Sequence, residues 1–142
     1  MKQAESVWRI EHSMETAATP QAIWEIFRDV PGWKRWNAGI ERIDLEGPFA
    51  DGTWFSMKPP NQDAFRSKLV DVRENESFVD ETRIGDLVVT VAHRIQALGA
   101  RRTRVTYAVE ASGPGASDIG PAIASDFPEV LAALASLAEG RR

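Results

Sequence analysis

The chain of 142 residues carries 17 Lys and Arg against 21 Asp and Glu, a net charge of -4, so it lacks the concentrated basic face that binding a nucleic-acid phosphate backbone requires. It contains no cysteine, which excludes disulfides and thiol catalysis and fits the cytoplasmic location expected of it. The length suits one domain, residues 1–142; no apolar run approaches the roughly 20 residues of a membrane span, and the opening MKQAESVWR lacks a hydrophobic signal segment.

Taken in chain order, residues 6–16 alternate, with Trp8, Ile10, His12 and Met14 on one side, and predict a half-buried strand. Thr19 can cap a helix that begins at Pro20, where the missing amide hydrogen is no loss, and Ile23, Trp24, Ile26 and Phe27 give that helix an apolar stripe. Pro31 and Gly32 end it, and Trp33 and Trp36 mark a further short turn of helix. From Gly39 the period changes to two, with Ile43 and Leu45 on one side of a second strand. Gly52 to Met57, Phe65 to Val72 and Phe78 to Ile84 are three more strands, and Leu87 to Ala97 and Arg102 to Ala111 the last and longest pair. Ile119, Ile123, Phe127, Leu131, Leu134 and Leu137 then share one helical face. Pro128 interrupts that helix and predicts either a kink near Ser125 or a fresh start, with Asp126 as N-cap and Glu129 completing a capping box. The fold class is α+β: a seven-stranded antiparallel meander too long to stay flat, curled around the closing helix.

The succession helix, DVPGWKRWN, IERIDLEGPFADGTWF, followed by HRIQALGARRTRVTYAVEASGPG and DFPEVLAALASLAEG, resembles the START-like superfamily of polyketide cyclase/dehydrase and lipid transport proteins. The resemblance spans nearly the whole chain. It implies the helix-grip fold, in which a curved seven-stranded sheet wraps a long C-terminal helix, with two short helices after strand one and an internal cavity for an apolar ligand. The family shares no single reaction, so the fold does not carry over into a function.

Two histidines are the first candidates for chemistry, because imidazole alone titrates near neutral pH unaided. His93 has the parity of Leu87, Val89, Val91 and Ile95, which places it on an apolar strand face either as a core histidine bonded to a neighbouring strand or as a ligand-facing acid/base group. His12 reads as structural. Tyr107, between Val105 and Val109, faces inward by the same alternation. Asp80 faces inward if Phe78 does and outward if Val79 does. Together His93, Asp80 and Tyr107 form a candidate acid/base trio for enolisation or dehydration of a polyketone. Candidate ligand-binding residues are Trp36, Phe55, Met57, Phe65, Leu69, Phe78, Val89 and Val91 on the sheet side, and Ile119, Ile123 and Phe127 at the less regular end of the closing helix. Trp24 and Trp54 read as core.

Other motif classes are missing. There is no phosphate-binding glycine loop, no GxSxG context for a serine nucleophile and no local histidine pair for a metal, so neither metal nor cofactor is expected. Arg101, Arg102 and Arg104 read as a hairpin tip and exposed strand face. Two principal readings remain: a carrier or sensor that encloses a small hydrophobic molecule such as a lipid or aromatic polyketide, and a polyketide cyclase-like enzyme. A protein-interaction module of the co-chaperone kind is a third, and it predicts an exposed apolar patch in place of a pocket. The expected partner is a small hydrophobic ligand, with the chain a monomer or homodimer.

Overall fold

A computed structural model describes residues 7–140. Seven strands, β1 (Val7–Thr16), β2 (Arg42–Leu45), β3 (Trp54–Lys58), β4 (Phe65–Arg73), β5 (Ser77–Ile84), β6 (Leu87–Gly99) and β7 (Arg102–Ser112), form one antiparallel sheet in the order β1-β7-β6-β5-β4-β3-β2. The chain therefore runs across the sheet as a meander from β2 to β7, and β1 closes onto the last strand. On β6 the alternation is strict: Leu87, Val89, Val91, His93 and Ile95 are buried while the residues between them are not. A register shift between Leu69 and Asp71 on β4 lets Leu69 and Val72, three apart, both face the inside.

Helix α1 (Pro20–Arg28) begins as its sequence dictates, with Thr19 Oγ1 accepting from the Ala22 amide at 3.1 Å and Pro20 in the first turn. It buries Ile23, Trp24 and Phe27. The 3₁₀ helix Val30–Arg35 follows, fastened by Trp33, whose indole Nε1 donates to the Phe27 carbonyl at 2.8 Å. The closing segment divides into α2 (Ala116–Ala124) and α3 (Phe127–Ala138). Asp126 occupies the N-cap position of α3, but its side chain makes no cap bond, so the expected capping box does not form. Pro128 in the first turn of α3 costs no hydrogen bond there, which is why the break falls just before it.

The core has two parts. The larger gathers Ile23, Phe27, Trp33, Leu69, Phe78, Leu131 and Leu134, from α1, the 3₁₀ helix, the middle of the sheet and α3. The smaller lies under α2, where Ala116 and Ala124 meet Leu87, Val89, Val91, Val109 and Ala111. Taken as one run, Ala116–Ala138 is long and apolar enough to cross a bilayer, with a mean hydropathy of 1.2, a length the sequence reading had missed. In this fold that run is two helices, α2 and α3, each packed on the sheet along one face.

Trp54 contradicts its reading as a core residue. Phe55 takes the inward position on β3 and is buried, so Trp54 must face out, where Arg66 lies 4.6 Å from its ring. Gly120 has a packing reason of its own: a Cβ there would overlap the indole of Trp8 on β1. The substitution Gly120→Ala should push α2 off β1 and cost about 1–3 kcal/mol, an overpacking penalty measurable by urea unfolding.

Candidate functional site

Between the inner face of the sheet, the 3₁₀ helix with its following loop, and α2 lies a cavity of about 550 Å³. Its wall is built from strand parity. On β5 the alternation sends Phe78, Asp80, Thr82 and Ile84 inward, and on β6 it sends Val89, Val91 and His93 inward. Tyr107 on β7 pairs with His93 across the ladder, and Phe55, Met57, Phe65 and Ser67 line the β3–β4 side. Trp33 and Trp36 form the wall toward α1, while Ile119, Ile123, Ser125, Asp126 and Phe127 form the side where the closing helix breaks.

Of the ligand-binding candidates, Trp36, Phe55, Met57, Phe65, Phe78, Val89, Val91, Ile119, Ile123 and Phe127 all line this cavity. Leu69 does not. It is fully buried in the larger core, because beyond Ser67 the inner face of β4 is covered by side chains of that core rather than bordering open space. Asp80 resolves inward, and His93, Asp80 and Tyr107 meet in one place. His12 sits opposite Tyr107 on β1 and lies outside the cavity wall.

His93 is bonded to the neighbouring strand, as the core reading expected, and it also lines the cavity. Its ring stacks on Phe78, with centroids 3.9 Å apart and planes within 8°, and Nδ1 lies 3.2 Å from the Phe78 carbonyl oxygen. A carbonyl only accepts, so Nδ1 carries the hydrogen and Nε2 keeps its lone pair. Nε2 faces Asp80, at 4.0 Å from Oδ2, too far for a hydrogen bond. Burial pushes the imidazole down from 6.5 to about 3, against the opposing pull of the Phe78 and Val91 carbonyls, so His93 is neutral and a weak base. Burial also lifts the Asp80 carboxyl from 3.8 to about 7. The phenol of Tyr107 is raised by burial and then by the charges of Asp80 and Asp126; it is 3% exposed and makes no hydrogen bond among the described residues. Asp80, not His93, is thus the group poised to exchange a proton near neutral pH.

Asp126 is the functional residue that the sequence reading assigned elsewhere, to a helix cap. Its side chain instead borders the cavity, and burial raises its carboxyl, with Glu129 adding to the effect. Thr82 and Ser67, joined at 2.6 Å, were also passed over, although the parity of Phe78 and Asp80 points to Thr82 directly. The Nε1–H of Trp36 is buried and has no acceptor among the described residues. No group of three His, Asp or Glu among the described residues is arranged to hold a metal ion. A depression of about 600 Å³ on the outer face is polar, with Arg94 and Arg104 in ion pairs with Glu11 and Glu15. Arg102 pairs with Glu15 as well, in keeping with an exposed strand face.

Residues 7–139 match the family model of polyketide cyclase/dehydrase and lipid transport proteins. The chain belongs to this family. Among solved structures it resembles the ZhuI aromatase/cyclase from Streptomyces sp. R1128, with a TM-score of 0.81 at 14% identity over 94% of each chain. It also resembles norcoclaurine synthase from Thalictrum flavum, with a TM-score of 0.79 at 14% identity over 98% of each chain. A START superfamily protein from Mycobacterium smegmatis matches with a TM-score of 0.74 at 20% identity, over 93% of this chain and 97% of that one. None of the curated proteins matches in sequence. At such identities the likeness shows the shared helix-grip fold and leaves ligand and reaction open.

The two buried groups make a pH prediction for this family member. Between about pH 4 and pH 6.5 the unfolded chain holds a proton on His93, while the folded chain holds one on Asp80, so their contributions to the slope of stability against pH cancel. Asp80→Asn removes a group whose folded-state value is raised, and it should gain on the wild type by about 1.4 kcal/mol per pH unit from about pH 4 to pH 7. His93→Gln removes a group whose folded-state value is depressed, and it should lose ground at about the same rate from about pH 3 to pH 6.5. Urea unfolding across pH checks both slopes; parallel curves for all three proteins would show that neither group is buried as described.

Proposed function

We propose that this protein binds a small, largely hydrophobic molecule in the cavity, as a carrier or sensor. The observation that carries this reading is the wall itself: about 550 Å³ of space bounded mainly by aromatic and branched aliphatic side chains, with a few polar groups converging at one place. A volume of that size admits a molecule of two to four fused rings or a short acyl chain. A concave pocket open at one side also counts against the interaction-module reading, which rests on a surface patch.

Thermal-shift measurements against a panel of fatty acids, sterols, flavonoids and aromatic polyketides test the proposal. A ligand present at 100 times its Kd should stabilise the protein by about 2.7 kcal/mol. Val91→Phe, which puts a ring into the cavity, should abolish the shift. A panel without any stabilising member, or a filled variant that responds as the wild type does, would remove the basis for the binding reading.

A second reading is favoured by one specific feature, the Asp80 carboxyl that borders the cavity with its ionisation moved to about 7 and the neutral imidazole of His93 4.0 Å away. In this reading the protein is a cyclase-like enzyme in which Asp80 removes or delivers a proton at an enolisable carbon while Tyr107 donates to the carbonyl oxygen. If a polyketone from the panel is converted, Asp80→Asn should slow turnover by about 100-fold or more, with Tyr107→Phe losing less. Equal turnover in Asp80→Asn and wild type would exclude Asp80 as the proton-transfer group.

A further inference from the structure

The charges around the cavity are all of one sign. Among the described residues two carboxyl groups border it, Asp80 from β5 and Asp126 from the break between α2 and α3, and no lysine or arginine does. Both carboxyls act electrostatically on the same phenol, that of Tyr107, so the three acidic groups surround a common part of the space. Tyr107 is 3% exposed, lines the cavity and has no hydrogen-bond partner among the described residues, which leaves its hydroxyl for whatever occupies the site. The remaining polar groups of the wall, including Asn37, Gln62, Ser67 and Thr82, are uncharged, and His93 is neutral. The Trp36 Nε1–H offers a place for an acceptor atom but supplies no countercharge.

Resting on the binding reading above, we propose that the natural occupant is an apolar molecule bearing a protonated amine, recognised by the Asp80 and Asp126 carboxyl groups. A carboxylate ligand, such as a fatty acid, would enter a low-dielectric space that holds two acidic groups and, among the described residues, no cation, which is unfavourable at any placement of its head. An ammonium has the opposite fit: it supplies the counterion that the two acids lack, its hydrogens find carboxylate and phenol oxygens, and the aromatic wall attracts a cation through the ring faces. Burial has already weakened the ionisation of Asp80, which has His93 at 4.0 Å and acts with Asp126 on Tyr107, and a bound cation would restore its charge.

Isothermal titration of the full chain at pH 7 with three compounds of one skeleton, naphthylethylamine, naphthylethanol and naphthylacetate, separates charge from shape. The amine should bind at least about 10-fold tighter than the alcohol, and the alcohol tighter than the acid. The amine-to-alcohol ratio should fall by about 10-fold in Asp80→Asn, and it should fall also in Asp126→Asn, a half-buried position at the cavity edge, with urea unfolding of both variants confirming the folded state. An alcohol that binds as tightly as the amine, or an acid that binds tighter, would overturn the amine proposal and leave the hydrophobic binding reading standing. Failure of all three to bind, at concentrations up to the millimolar range, would overturn both.

Discussion

The parallel stack of Phe78 on His93, one residue on β5 and its ladder partner on β6, is the contact around which the inside of this sheet is organised. Phe78 is also met by Phe27, Trp33 and Phe49, with ring centroids 5.0, 5.6 and 5.2 Å away; Phe27 reaches the imidazole as well, at 5.8 Å, and Trp33 continues into the cavity wall. Phe78 also borders the open space with Asp80 and Tyr107. One side chain thereby stands on the partition between packed core and open space: it is 1% exposed and fully packed, yet its edge lines the cavity. Aromatic rings suit this position because they are large, stiff and hold their place through edge and face contacts on both sides.

That partition explains how a small domain keeps a large void. Empty space in a core normally costs stability because its lining forfeits contacts. Here the void is bounded by α2, the 3₁₀ helix and the β3–β4 side of the sheet, while α1 and α3 pack with the middle of the sheet into one continuous cluster. The polar groups lie at the boundary of the two regions, where ionisation is suppressed yet space exists for a further molecule. In the folded protein a proton that would otherwise rest on imidazole rests on a carboxyl instead, an inversion of the ordinary order of the two groups.

Much of the fold was legible because strand parity and helix punctuation are local. Leu87 to Ile95 alternate without exception, and Thr19–Pro20 announces a helix start by itself. The fate of Asp80 was not legible, since Phe78 and Val79 are both apolar and the decision falls to neighbours outside the strand. Trp54 was misread by giving residue type more weight than parity: two adjacent aromatics cannot both face in, and Phe55 holds the inner position. Leu69 shows the opposite limit. Its inward orientation was readable, but whether an inward residue meets space or another side chain depends on which helix lies above it. Asp126 hid behind a local motif whose ingredients are all present and whose hydrogen bond does not form.

The interruption between α2 and α3 separates two attachments that a single helix would join. Val130, Leu131 and Leu134 of α3 are sunk into the larger core, whereas α2 meets the sheet through small residues, Ala116, Gly120 and Ala124, and leaves Ile119 and Ile123 beside the void. Small side chains bury little area, so detaching α2 requires far less free energy than detaching α3. The two attachments therefore differ in cost, and a change at the seat of α2 on Trp8 acts on the weaker of them.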